Sequence, residues 1–210
     1  IEASTGEYVI TVDGDDWISE TFIEDLANNA IETGADIVSG GITYVYSDEY
    51  HEIKRFFPMI SKDFKKFLDY NNGKIIFLNN KIVRRSMYET TPYCTRRYCE
   101  DTPTIFPLLY YANMVSYVDN QGYFYVQHEQ SLCHKTNIFE KNLFKALCCQ
   151  DMILFFSDKG DEYRRIINKD ELMSFLKIMD DTITPELCKQ YEKELIEIKP
   201  LVDVILKQSN

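Results

Sequence analysis

The sequence predicts an α/β fold, a mixed sheet flanked by helices and followed by a C-terminal helical extension. Three observations carry that prediction. Short β-branched and aromatic runs alternate with amphipathic stretches from residue 1 to about residue 136. The first run, Tyr8-Val9-Ile10-Thr11-Val12, ends abruptly in Asp13-Gly14-Asp15-Asp16-Trp17. From Asn137 onward helical spacing takes over, which divides the chain into 1–136 and 137–210.

Taken in order, Tyr8–Val12 is the opening strand, and Thr21-x-x-Glu24 then reads as a capping box. Phe22, Ile23, Leu26, Ala27, Ala30 and Ile31 give the following helix an apolar face, and Gly34 suits its C′ position. Asp36–Tyr46 reads as one strand in which Gly40-Gly41 marks a bulge or a close backbone approach. Ser61–Leu68 is a short amphipathic helix, and Lys74–Leu78, Val115–Val118 and Gly122–Gln127 are further strands. Thr102-Pro103 opens a helix to Asn113 that Pro107 should kink or break. The tail reads as three helices. Phe139, Leu143 and Leu147 share one face, Leu172, Phe175, Leu176 and Met179 a second. The third starts on the Thr184-Pro185 cap, carries Leu187, Tyr191, Leu195 and Ile198, and should be disturbed by Pro200.

Composition narrows the function. A chain of 210 residues that is 45% hydrophobic buries a real core. A formal charge of −11 argues against nucleic acid, whose phosphates require clustered Lys and Arg, and against broad attachment to anionic lipid. No stretch approaches the roughly 18 apolar residues of a membrane span. Six cysteines (Cys94, Cys99, Cys133, Cys148, Cys149, Cys188) show neither a C-x-x-C pair nor zinc spacing, so they read as reduced thiols.

Asp13-Gly14-Asp15-Asp16 carries the sharpest chemistry. A strand that delivers carboxylates at its C-terminal end suits a hard divalent cation, which takes one or two carboxylates plus phosphate and water. A polar turn is the plainer reading of the same residues. An EF-hand fails, because Ile18 stands at the glycine position and Trp17 at a ligand position. A phosphatase with an aspartate nucleophile fits poorly, because Trp17 replaces the small polar residue it wants.

A second acidic pair, Glu100-Asp101, lies in Tyr98-Cys99-Glu100-Asp101-Thr102-Pro103. Alone it is a helix N-terminal pair favoured by the macrodipole. Between the acidic groups lies Phe77-Leu78-Asn79-Asn80-Lys81-Ile82-Val83-Arg84-Arg85, and after them come Val115–Asp119 and Gly122–Leu132. In this order the segments resemble the family 2 glycosyltransferases, inverting sugar transferases of GT-A fold. The opening Ile1–Tyr8 is similar to that family's lead into its metal motif, and the resemblance runs to about Ser131.

The resemblance implies roles residue by residue. Asp13 and Asp15 match the family's Asp-x-Asp motif. Asp15 would bind the Mn²⁺ or Mg²⁺ that bridges the donor diphosphate, Asp13 would face the ribose or the metal shell, and Asp16 joins them in the cofactor-binding cluster. Asp101 matches the general base, with Glu100 supporting it or touching the acceptor, and Trp17 borders the acceptor site. Of the histidines after the late strand, His134 is the candidate metal ligand and His128 reads as loop polarity. Lys81, Arg84 and Arg85 read as a solvated basic turn, although Arg forks also suit phosphate.

The implied donor is a nucleotide sugar, UDP-linked, and the implied acceptor a glycan or lipid-linked glycan of surface polysaccharide synthesis. The implied location is cytoplasmic, peripheral to the inner membrane face. Departures are Glu20 where a proline is usual and Gln127-His128 where many members carry arginine. The family's opening strand and base-gripping loops should precede residue 1, so the chain reads as a C-terminal portion. Its exposed sheet edge then predicts a homodimer. A truncated, non-catalytic remnant serving as an interaction module is the alternative.

Overall fold

The structure, a computed structural model, describes residues 1–46, 51–54, 77–96, 98–128, 137–160 and 169–208. They form two compact units, residues 1–94 with 104–129, and residues 95–103 with 130–210.

The first unit carries two four-stranded sheets. In one, β1 (Tyr8–Ile10) pairs antiparallel with Lys81–Arg84, which pairs antiparallel with Ile37–Ser39, which pairs parallel with Val115–Tyr117. In the other, β2 (Trp17–Ile18) pairs antiparallel with Tyr123–Val126, which lies parallel to Ile42–Val45, itself antiparallel to His51–Lys54. In chain order these further strands are β3 (Ile37–Ser39), β4 (Ile42–Val45), β5 (His51–Lys54), β6 (Lys81–Arg84), β7 (Val115–Tyr117) and β8 (Tyr123–Val126). The helices α1 (Phe22–Thr33), α2 (Met87–Thr90) and α3 (Asp101–Tyr111) complete the α/β pattern, a mixed sheet architecture flanked by helices.

Helix α1 ends as its sequence predicts, on Gly34 in the left-handed region at φ 68°. Its start differs. Thr21 makes no side-chain cap, because Asn120 competes for the first turn: its Nδ2 donates to Thr21 Oγ1 at 3.4 Å and to Asp25 Oδ2. The buried face is also narrower than expected. Phe22, Leu26 and Ala30 are buried with Ala35, Val38, Ile82 and Tyr123, while Ile31 is 81% exposed.

The single strand expected over Asp36–Tyr46 is two strands in different sheets, β3 and β4, with Gly40-Gly41 as the crossing. Both glycines are at a close approach. Their amides donate to the carbonyls of Asn80 and Asn120, and a Cβ on Gly40 would run into the Phe22 ring and lie 3.0 Å from the Asn120 carbonyl oxygen. The Ser61–Leu68 helix lies outside the described residues, as do residues 74–76 of the Lys74–Leu78 strand. Phe77 and Leu78 are not in a strand, which begins instead at Lys81. Helix α3 runs unbroken through Pro107.

In the second unit, α4 (Ile138–Phe156) starts on Asn137, whose side chain accepts from the Phe139 amide. It is followed by α5 (Lys169–Thr182), α6 (Pro185–Gln190) and α7 (Glu192–Gln208). The last predicted helix is therefore two. Thr184 caps α6 as expected, but Tyr191 leaves helical geometry and α7 starts after it. Pro200 does not end α7. The carbonyl it leaves without an amide partner belongs to Ile196, a residue that is 66% exposed. Phe139, Leu143, Leu147, Leu172, Phe175, Met179, Tyr191 and Ile198 form this unit's core.

Arg96 ties the unit together. Its guanidinium donates to both oxygens of Asp151, at 2.7 and 2.9 Å, and to both of Glu197. These pairs hold the guanidinium above its usual pKa. Bidentate charge-assisted bonds with a side chain only 17% exposed are the strong kind. We expect Arg96→Ala to lower unfolding stability by about 2 kcal/mol, read as an earlier urea midpoint with unchanged slope.

Candidate active site

Strand β1 delivers the chain to the turn at Asp13–Asp16, which is closed by the Asp16 amide donating to the Asp13 carbonyl at 3.1 Å. Short β2 follows at once and pairs with β8 in the register Trp17 opposite Phe124. That register sets the site. It lays β8 and the residues after it beneath the acidic turn, where Tyr123 engages Asp13 and Asp16, Val126 engages Asp16, and His128 engages Asp15.

Tyr123 is fully buried, and its hydroxyl accepts from the Asp13 amide at 3.2 Å while donating to Asp16 Oδ2 at 2.7 Å. Burial and the Asp16 carboxylate push the Tyr123 hydroxyl well above the usual phenol range. The other Asp16 oxygen accepts from the Val126 amide at 2.9 Å. Burial raises the Asp16 carboxyl above its ordinary value, against these two bonds. Asp16 thus braces the turn with both oxygens.

Asp15 is more open. Its Oδ2 lies 2.9 Å from His128 Nε2, with the two side chains 51% and 37% exposed. Trp17, 46% exposed, stacks on Phe124 with centroids 5.2 Å apart and planes 12° from parallel. An exposed indole held flat offers an apolar face of the kind that sugars stack on.

Asp13 is held from the segment ahead of β6. Asn79 Nδ2 donates to Asp13 Oδ2 at 3.2 Å, and Asn79 is only 5% exposed. Turning its amide nitrogen to the carboxylate leaves Asn79 Oδ1 buried without a hydrogen bond. Asn80, fully buried, donates to the Gly40 carbonyl, and the Lys81 ammonium donates to Asn80 Oδ1 at 2.6 Å and to the Phe77 carbonyl. Lys81 is 1% exposed, which corrects the solvated basic turn for that residue. Arg84 also turns inward, bonding Asp36 at 2.9 Å and the Tyr8 hydroxyl at 2.6 Å.

An orphaned buried acceptor costs about 1–3 kcal/mol. We therefore expect Asn79→Leu to leave thermal stability level or raise it, by removing the orphan. The same change should weaken UDP binding about tenfold by releasing Asp13. A loss of melting temperature with unchanged affinity contradicts this.

The donor set fits a divalent cation that a ligand completes. Among the described residues no three Asp, Glu, His or Cys side chains converge as a self-sufficient site. Two ligands at about 2.1 Å from an octahedral ion and at right angles stand about 3 Å apart. Asp15 and His128, at 2.9 Å, have the spacing of adjacent ligands. Such a pair leaves positions for phosphate oxygens and water, the partners that Mg²⁺ and Mn²⁺ ordinarily keep.

The structure thus gathers Asp13, Asp15 and Asp16 on one turn, with Trp17 directly after it in β2, and adds Asn79, Tyr123, Phe124 and His128 to them. Glu100 and Asp101 are grouped with the second unit; Asp101 is the first residue of α3, whose residues from Thr104 onward are grouped with the first. His134 lies outside the described residues. His128, which the sequence left as loop polarity, is the histidine brought to Asp15. The signal that finds it is the β2–β8 register, which a single sequence does not display.

Residues 1–91 match the family model described as glycosyl transferase family 2. EpsH of Bacillus subtilis (strain 168), which carries a provisional glycosyltransferase designation, is 27% identical over 79% of this chain and 51% of its own length. Glycosyltransferase GlyG of Streptococcus pneumoniae serotype 4 is 21% identical over 76% of this chain and 54% of its own. The chain spans about half the length of these curated relatives. Among solved structures, S. aureus TarS 1–349 in complex with UDP-GlcNAc superposes with a TM-score of 0.54 at 18% identity, over 94% of this chain and 58% of TarS 1–349. A second structure of TarS 1–349 gives a TM-score of 0.57 at 15% identity, over 94% of this chain and 55% of that one. The fold is accordingly of the GT-A glycosyltransferase type, and the acidic turn, β1 to β6 and Asn79 all fall within residues 1–91, the segment that matches the glycosyl transferase family 2 model.

Proposed function

We propose that the protein containing this chain is a metal-dependent, inverting glycosyltransferase that moves a sugar from a UDP-sugar to a glycan or lipid-linked acceptor in surface polysaccharide synthesis. The observation that carries this reading is the 2.9 Å contact of His128, which follows β8, with Asp15 on the turn after β1, Asp15 lying inside the segment that matches the family 2 model. UDP-GlcNAc bound to TarS supports the choice of a UDP-linked donor.

In this reading Asp15 and His128 hold Mn²⁺ or Mg²⁺, which when bound supplies positive charge against the leaving diphosphate. Asp13, steadied by Asn79, faces the ribose, and Asp16 keeps the turn in shape. The stacked Trp17 and Phe124 rings orient an acceptor sugar. Asp101 takes the proton from the acceptor hydroxyl as its oxygen attacks the anomeric carbon and the bond to the diphosphate breaks. Glu100 supports Asp101. One displacement inverts the configuration.

No helix among the described residues is long and apolar enough to cross a membrane. An enzyme working from the cytoplasm against the inner membrane face, alone or as a homodimer, agrees with the proposed lipid-linked acceptor.

The reading is tested by incubating the chain with Mn²⁺ and a panel of UDP-sugars and following UDP release with a coupled assay. We expect release from one or a few donors, abolished by chelation. Release from none, by a chain that does bind UDP, would remove the catalytic reading.

A further inference from the structure

Cys99 is, among the described residues, the one residue other than glycine with positive φ, at 58°. A side chain there is strained, since the left-handed region crowds Cβ against the backbone. Such strain persists where surrounding structure over-determines it. The surrounding structure is Cys148 of α4. Its buried Sγ donates to the Cys99 carbonyl at 3.1 Å and lies 3.8 Å from the Tyr98 carbonyl oxygen. The Tyr98 ring meets Phe144 of the same helix edge-on at 5.2 Å.

A hydrogen bond from the Cys148 thiol is the largest cause holding Cys99 below the usual thiol pKa, and Lys145 and Lys141 act in the same sense against burial. Cys99 is half-buried and Cys148 buried, so an oxidant reaches Cys99 first. The thiolate is the reactive form of cysteine, and a lowered pKa beside lysines is where it accumulates.

We propose that Cys99 and Cys148 are a modification site, a dithiol that a peroxide converts to a disulfide, tying the Glu100-Asp101 segment to α4. The Cys99 thiolate attacks one peroxide oxygen, the O–O bond breaks, and hydroxide leaves, with Cys99 now a sulfenic acid. The Cys148 sulfur then attacks the Cys99 sulfur, the S–S bond forms and the S–O bond breaks. The departing hydroxide takes the Cys148 proton as water. Both thiols are oxidised and the peroxide is reduced to water. The pairing stands on the thiols alone. Its consequence for sugar transfer rests on the reading of Asp101 as the base.

The test is to treat the chain with hydrogen peroxide, alkylate the remaining thiols, digest, and map the cysteines by mass spectrometry. We expect one cross-linked species joining the Cys99 and Cys148 peptides, lighter by two hydrogens and reversed by dithiothreitol. Cys148→Ser should strand Cys99 as a sulfenic acid that dimedone captures. If that variant does not fold, the wild-type map decides alone. Separate alkylation of both thiols after oxidation, or Cys99 joined to another cysteine, overturns the proposal. UDP release from a Mn²⁺-loaded UDP-sugar should fall on cross-linking and return on reduction. An unchanged rate in the cross-linked chain, where Asp101→Asn is inactive, overturns the tie alone. An active Asp101→Asn overturns the base and leaves the pair standing.

Discussion

We expect Asp101→Asn to lower the proposed sugar transfer by about 10²–10⁴-fold and to leave UDP affinity where it was. The amide is nearly isosteric with the carboxylate but cannot accept a proton from the attacking hydroxyl, and general-base catalysis is worth about that factor. The change is mild for the fold. Asp101 opens α3, where a negative charge gains about 0.3–1 kcal/mol from the helix dipole, so the melting temperature should drop only slightly. Glu100→Gln, one residue earlier in the same exposed approach, should cost less than about tenfold, the lower bound of a positioning effect. Initial rates of UDP release with each variant, set beside calorimetric UDP affinities, separate the two roles. Equal losses in both variants would make the pair a single charged unit and remove the distinction.

Asp15→Asn is expected to abolish metal-dependent UDP binding, weakening it by about 100-fold or more, since even outer partners of a metal ligand are worth about 10–100-fold. The expectation follows from the division of labour on the turn. Asp16 spends both oxygens on Tyr123 and Val126, and Asp13 takes a bond from Asn79. Asp15 alone of the three meets a histidine, His128, which the proposal makes its partner on the cation. Asparagine keeps the shape and one acceptor but loses the charge that a hard cation requires. His128→Ala should weaken binding by a smaller factor, about tenfold, because water can take its position. Asp16→Asn should act through the turn rather than the ligand. A variant at Asp16 that loses binding as completely as Asp15→Asn would reverse these assignments.

How far these positions could be read from the sequence follows the range of the interactions that fix them. Helix α1 was legible because its apolar period and Gly34 are local, yet its capping box failed because Asn120, far along the chain, takes Thr21 and Asp25. The run Asp36–Tyr46 announced its glycines but not the change of sheet, since β3 and β4 draw their partners from β6, β7, β5 and β8. The acidic turn was legible as chemistry from residue types alone. Asn79, Tyr123 and His128 were not, because each joins the turn through strand pairing across the fold. Lys81 looked like a surface cation and is buried, its ammonium satisfied by Asn80 and the Phe77 carbonyl, contacts no charge count reveals.

The donor site is tested most directly by titrating UDP into this chain in a calorimeter, with and without Mn²⁺, beside Asp15→Asn and His128→Ala. We expect binding that requires Mn²⁺, vanishes in Asp15→Asn and weakens in His128→Ala. Binding that is indifferent to Mn²⁺, or that survives Asp15→Asn intact, would contradict a metal-centred donor site on this turn.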